Sequence, residues 1–91
     1  MTLFGKKNYT EQELVEGCAR NERRAQEALY RRFFPEMMRM TRRYTRDEDT
    51  TIEIVNNGFL RVIKKIHTSA FKCCLEGWVR RLVYHSMADY F

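Results

Sequence analysis

The side chains best suited to chemistry crowd one stretch, FLRVIKKIHTSAFKCCLEGWVRR, from Phe59 to Arg81. Two adjacent cysteines, Cys73 and Cys74, sit there with His67, and His85 follows. A zinc site needs paired C-x-x-C spacing and a fourth ligand, and neither is present, so no metal is expected. Cys73 and Cys74 read instead as small, half-buried loop thiols. The two histidines are 18 residues apart and belong to no nucleophile or metal motif. Nor is there a Gly-rich phosphate loop. The expectation is therefore a chain that is not an enzyme and carries no cofactor. Aromatic rings beside cations leave two other roles for the stretch: contact with a partner helix or with nucleic acid.

Charge distribution sharpens those alternatives. The chain carries a net +5. Residues 20–46 hold nine arginines and three glutamates, and residues 61–81 hold six Lys/Arg against one Glu. Between these basic blocks, DEDTTIE at 47–53 carries four carboxylates and no cation. Surfaces of opposite sign suit a polyanion on one face and a basic partner on another. Each run taken alone also reads as a solvated helix face.

The elements that must position these residues are helical. With 91 residues, the chain has room for one domain, and its 44% hydrophobic content suffices for one core. Only four Gly and one Pro argue against a loop-rich or all-β fold. No apolar run is long enough to span a membrane, and the opening MTLFGKKNYT lacks a signal-peptide core, so a cytoplasmic location without membrane insertion is expected. Thr10 and Glu13 fit a capping box, with Leu14, Val15, Cys18 and Ala19 as the apolar face of a first helix. Asn21 is the expected cap of a second helix, with Ala25, Ala28, Leu29 and Phe33 inward. Pro35 is expected to kink that helix or to open a new one. Arg39, Arg42, Arg43 and Arg46 fall at helical spacing and predict a single cationic stripe.

Asp47 or Asp49 can cap a third helix, whose Ile52, Val55, Phe59, Val62 and Ile66 give the clearest helical period in the chain. Gly58 interrupts it and predicts a close packing contact. After a loop at His67–Cys74, a last helix is expected near Glu76. Its inner side would hold Trp78, Val79, Leu82, Val83, Ser86, Met87 and Tyr90. The chain reaches Phe91 without a Gly or Pro stop signal, as though cut short. The fold class is all-α, a small bundle of about four helices, with residues 1–9 as a tail and 10–91 as the domain.

Three segments, in order, resemble an extracytoplasmic-function sigma factor. EQELVEGCARNERRAQEALYRRFFPEMMRMTRRY is similar to the family's opening helices and Arg-rich segment. DEDTTIEIVNNGFLRVIKKI is similar to its D-x-x-A-E-D…Q-E-x-F segment, and LEGWVRRLVYHSMADYF to its F-x-x-W…R…N segment. The resemblance covers about residues 11–91 and implies a sigma region 2-like domain. Such a domain binds the coiled coil of the largest subunit of RNA polymerase, and it recognises and melts the promoter minus-ten element. An anti-sigma factor is a further partner the family implies. The helix-turn-helix domain of a complete factor, region 4, has no counterpart in this chain. The family's acidic polymerase-binding positions fall here on Ile52, Glu53, Asn56 and Asn57, of which only Glu53 is charged. The implied polymerase-binding set is Asp49, Glu53, Asn56 and Asn57. His85 stands where the family has Asn, and Cys73-Cys74 where it has Gly-Ser.

Physical reasoning about a melted promoter fits the same residues. Aromatic rings stack on unpaired bases at about 1–3 kcal/mol each, and cations displace counterions from phosphates. A loop between helices can hold one extruded base. His67, Ser69, Phe71 and Lys72 would then read a base. Trp78 would anchor the loop, although a core position is its ordinary alternative. Arg80, Arg81, Tyr84 and His85 would supply phosphate and stacking contacts.

Overall fold

Helix α1 (Glu11–Ala19) is followed by α2 (Arg23–Arg42), α3 (Glu48–Lys65) and α4 (Leu75–Tyr90), with a 3-10 turn over Ile66–Thr68. This is a computed structural model, and it describes residues 9–68 and 74–91. Among the described residues there is no strand, so the protein is an all-helical bundle of the expected size. Its shortest extent, 19 Å, is about two helix diameters. Tyr9, expected in the tail, packs half-buried against the core, and its carbonyl accepts a bond from Arg32.

The first helix starts as its sequence dictates. Thr10 Oγ1 accepts from the Glu13 amide at 3.0 Å, and Glu13 returns a carboxylate to the Thr10 amide at 2.9 Å. Its end differs from expectation. Asn21 does not cap α2; it adopts a left-handed φ of 61° and closes α1. The Asn21 amide donates to Cys18 at 3.0 Å and the Glu22 amide to Gly17 at 2.9 Å, the paired bonds of a Schellman turn. Asn tolerates that backbone better than most residues. The tight reversal presses Gly17 onto Ala25, where an added Cβ would stand 2.5 Å from the Ala25 Cβ. Helix α2 starts at Glu22 without a side-chain cap.

Helix α2 runs unbroken through Pro35, which lies on its exposed side. It stops at Arg42, with Arg43 as its C-cap. The expected four-arginine stripe is thereby cut, because Arg46 lies in the turn beyond the helix. Asp47, not Asp49, caps α3. Its carboxylate accepts from the Thr50 amide at 2.9 Å and the Thr50 hydroxyl at 2.6 Å.

The core joins Leu14 and Cys18 of α1 to Ala25, Leu29, Phe33, Met37 and Met38 of α2. From the other side come Val55, Phe59 and Val62 of α3, Ile66, and Leu75, Val79, Leu82 and Val83 of α4. Ile54 is buried as well, whereas Ile52 and Ile63 are only half-buried. Gly58 permits the tightest crossing. A Cβ there would meet Val83 Cγ2 at 2.7 Å and Val83 Cα at 2.8 Å, so α3 and α4 touch almost backbone to backbone. Ser86 settles its hydroxyl in the same interface by donating to the Ile54 carbonyl at 3.2 Å. Helix α4 begins one residue before the expected Glu76. Tyr90, expected inward, is exposed near the end of the chain.

Candidate functional site

Asp49, Glu53, Asn56 and Asn57 are all exposed and fall at helical spacing on the outer ridge of α3. Leu60, 58% exposed, continues the ridge one turn on, and Lys64 follows it. Asn56 is held in place: Tyr30 of α2 donates to its Oδ1 at 2.7 Å. Tyr30 itself lies between Phe34 and Phe59, with ring centroids 4.9 Å away in each case. Burial pushes the Tyr30 hydroxyl above its ordinary pKa, so it remains a donor at neutral pH. Tyr30, Asn56, Phe59, Leu60 and Ile63 line an apolar groove between α2 and α3 of about 450 Å³. The ridge was legible from its spacing. Tyr30 and Leu60 were not assigned to it, although Leu60 follows Asn56 by four residues on the same face.

The residues assigned to nucleic acid divide into two groups. Ser69, Phe71 and Lys72 lie outside the described residues, as does most of the His67–Cys74 loop. His67 is exposed in the 3-10 turn. Cys74, expected to be half-buried, is exposed; it holds a left-handed φ of 67° and heads α4. Trp78 is half-buried and packs against the core, which favours the anchor role over a freely presented stacking ring. Arg80, Arg81, Tyr84 and His85 are all exposed on α4.

Arg80 is engaged. It bridges Glu36 of α2 and Glu76 of its own helix, at 3.2 Å from the latter. The two carboxyls also bond to each other. The bond from Glu76 holds Glu36 below the ordinary carboxylate range, with Arg80 adding to the effect, and the same bond raises Glu76. Further along the α2–α4 seam, Tyr44 meets Tyr84 edge to face at 6.3 Å between centroids. Tyr44, read in the sequence as an inward residue, is 57% exposed. Arg39, Arg43, Arg46 and Arg81 are exposed and make no ion pair among the described residues, whereas Arg42 is held by Glu48 at 2.8 Å. Neither Tyr44 nor Glu36 was singled out, because their partners on α4 are remote in sequence.

Among the described residues, no three His, Cys, Asp or Glu side chains are grouped to hold a metal ion. No described helix is long and apolar enough to cross a membrane. No protein-family model, curated protein or solved structure matches this chain.

Proposed function

We propose that this chain is a sigma region 2-like domain. In this reading, the α3 ridge of Asp49, Glu53, Asn56 and Asn57 docks on the coiled coil of the largest subunit of core RNA polymerase. The face of α4 and the segment before it meet the promoter minus-ten element. The observation that carries the proposal is the separation of two exposed surfaces of different chemistry. The α3 ridge is acidic, amide-bearing and partly apolar, and it lies between the seams that α3 makes with α2 and α4. Arg43, Tyr44, Arg81 and Tyr84 belong to the α2–α4 seam. Carboxylates and amides on a rigid helix suit a basic helical partner, and cations beside aromatics suit unpaired DNA.

Co-purification with core RNA polymerase tests the first half. Glu53→Lys reverses the ridge's central charge at an exposed position and should reduce captured polymerase several-fold, with the helical circular dichroism unchanged. Undiminished capture would remove Glu53 from the interface.

One observation favours a second reading, a helical interaction domain that binds polymerase or an anti-sigma protein without DNA. Arg80, expected at the DNA backbone, is already neutralised by Glu36 and Glu76. Salt-dependent binding to a single-stranded minus-ten oligonucleotide separates the two readings, since only a DNA-contacting domain shows it.

A further inference from the structure

At the end of the α2–α4 seam, Tyr44, Tyr84, Met87, Ala88 and Phe91 line a shallow depression of about 280 Å³. Its three rings are largely bare: Tyr44 is 57% exposed, Tyr84 49% and Phe91 72%. Isolated exposed apolar residues need no explanation, but three rings gathered around one hollow do. Tyr44 and Tyr84 hold each other edge to face, so the hollow is a preformed aromatic surface.

The charge around it selects the occupant. Arg43 and Arg46 flank Tyr44 in the chain, Arg81 stands one helical turn before Tyr84, and His85 adjoins it. All four are exposed. The carboxylates on these segments are already committed: Asp47 to Thr50, Glu48 to Arg42 and Asp89 to Arg61. The surroundings of the hollow therefore hold a surplus of cations. A second copy of this chain would bring the same arginines against each other, a like-charge contact. A ligand that joins flat apolar rings to regularly spaced anions meets both requirements. Duplex DNA supplies the anions but hides the ring faces.

We infer that the Tyr44–Tyr84–Phe91 depression stacks an unpaired base of single-stranded DNA, whose flanking phosphates Arg43, Arg46 and Arg81 hold. The site needs no residue of the 69–73 segment. It deepens the DNA half of the proposed function and is independent of the polymerase half. It adds Tyr44 and Phe91, which neither the motifs nor the resemblance assigned, to Tyr84.

The experiment uses the whole chain and a fluorescein-labelled oligothymidylate, read by anisotropy at low salt. Tyr44→Leu and Phe91→Leu keep apolar bulk and remove the ring. Each should weaken binding by about tenfold, within the range for loss of one stacked base. Tyr44→Phe keeps the ring and should bind like the unchanged protein. A strand of abasic sites should bind the unchanged protein and both Leu variants equally. Full affinity in the two Leu variants would overturn the depression as a site and leave DNA binding elsewhere on the domain intact. Failure of the unchanged protein to bind the strand would overturn both this inference and the DNA half of the proposed function, while polymerase capture would still be tested separately. Sedimentation showing that the unchanged protein self-associates, and that the Leu variants do not, would identify the patch as a protein interface and overturn the inference.

Discussion

Asp47 decides where α3 begins. Its carboxylate takes both the hydroxyl and the amide of Thr50, and those bonds hold its pKa below the usual aspartate value. A depressed pKa means that the folded state prefers the ionised form. The stabilisation is therefore fully present above the ordinary aspartate pKa of about 3.9, and it is lost as pH falls through the lower folded value. Asp47→Asn should lower the melting temperature at neutral pH, and the gap to the unchanged protein should close as the solution is acidified through that window. A gap that persisted at low pH would mean that the cap acts through something other than its charge. Cys18 shows the opposite case of a titratable group that the fold silences. Burial, reinforced by the nearby Glu22, pushes its thiol up to about 11, so at neutral pH it behaves as a small core hydrophobe. Asn21 was legible as a helix-boundary residue, yet its role reversed. Asn suits both an N-cap and a left-handed C-terminal turn, and the close approach of Gly17 to Ala25 selects the second.

The crossing of α3 over α4 at Gly58 is the element-scale contact least tolerant of change. Gly58→Ala improves helix propensity by about 1 kcal/mol, but its methyl would stand 2.8 Å from the Val83 backbone. Backbone cannot rotate away as a side-chain end can, so the helices must separate. Overpacking of this kind costs about 1–3 kcal/mol, and the net effect should be a lower urea midpoint. A variant as stable as the unchanged protein would show that the crossing can relax. The sequence announced this contact because a glycine breaks an otherwise regular apolar period. The same period placed Val55, Phe59, Val62 and Ile66 inward, and it left Asp49, Glu53, Asn56 and Asn57 on the outer ridge. The arginine stripe misled because its period runs on past Arg42 with no Gly or Pro to mark the end. The helix stops there, and Asp47 soon starts the next one. Pro35 misled in the other direction. On the exposed side of a long helix, a missing amide donor is tolerated where burial would forbid it. The pairings that build the α2–α4 seam, Glu36 with Arg80 and Tyr44 with Tyr84, depend on how two helices cross, and no local period encodes that.

At the scale of the whole molecule, the net +5 says less than where the cations stand. Several lie in local pairs that contribute little to an external field: Arg20 with Glu22, Arg31 with Glu27, Arg42 with Glu48 and Arg61 with Asp89. Arg39, Arg43, Arg46 and Arg81 lack such pairs among the described residues. These four should therefore dominate attraction to a polyanion, while the α3 ridge governs capture of a basic partner. A comparison at equal net charge tests this distribution. One variant replaces Arg39, Arg43, Arg46 and Arg81 with Ala; the other replaces Arg20, Arg23, Arg31 and Lys64. For single strands, each phosphate that a variant no longer neutralises should lower the slope of log affinity against log salt by about 0.7. The first variant's slope should fall by up to about 3. The second variant's slope should barely change, although its total charge is the same. Polymerase capture should survive the first variant and fail with Glu53→Lys, and strand binding should do the reverse. Equal weakening of strand binding in the two Ala variants would mean that net charge alone attracts the strand and that no cationic face exists. Loss of polymerase capture together with strand binding in the first variant would mean that a single surface serves both partners.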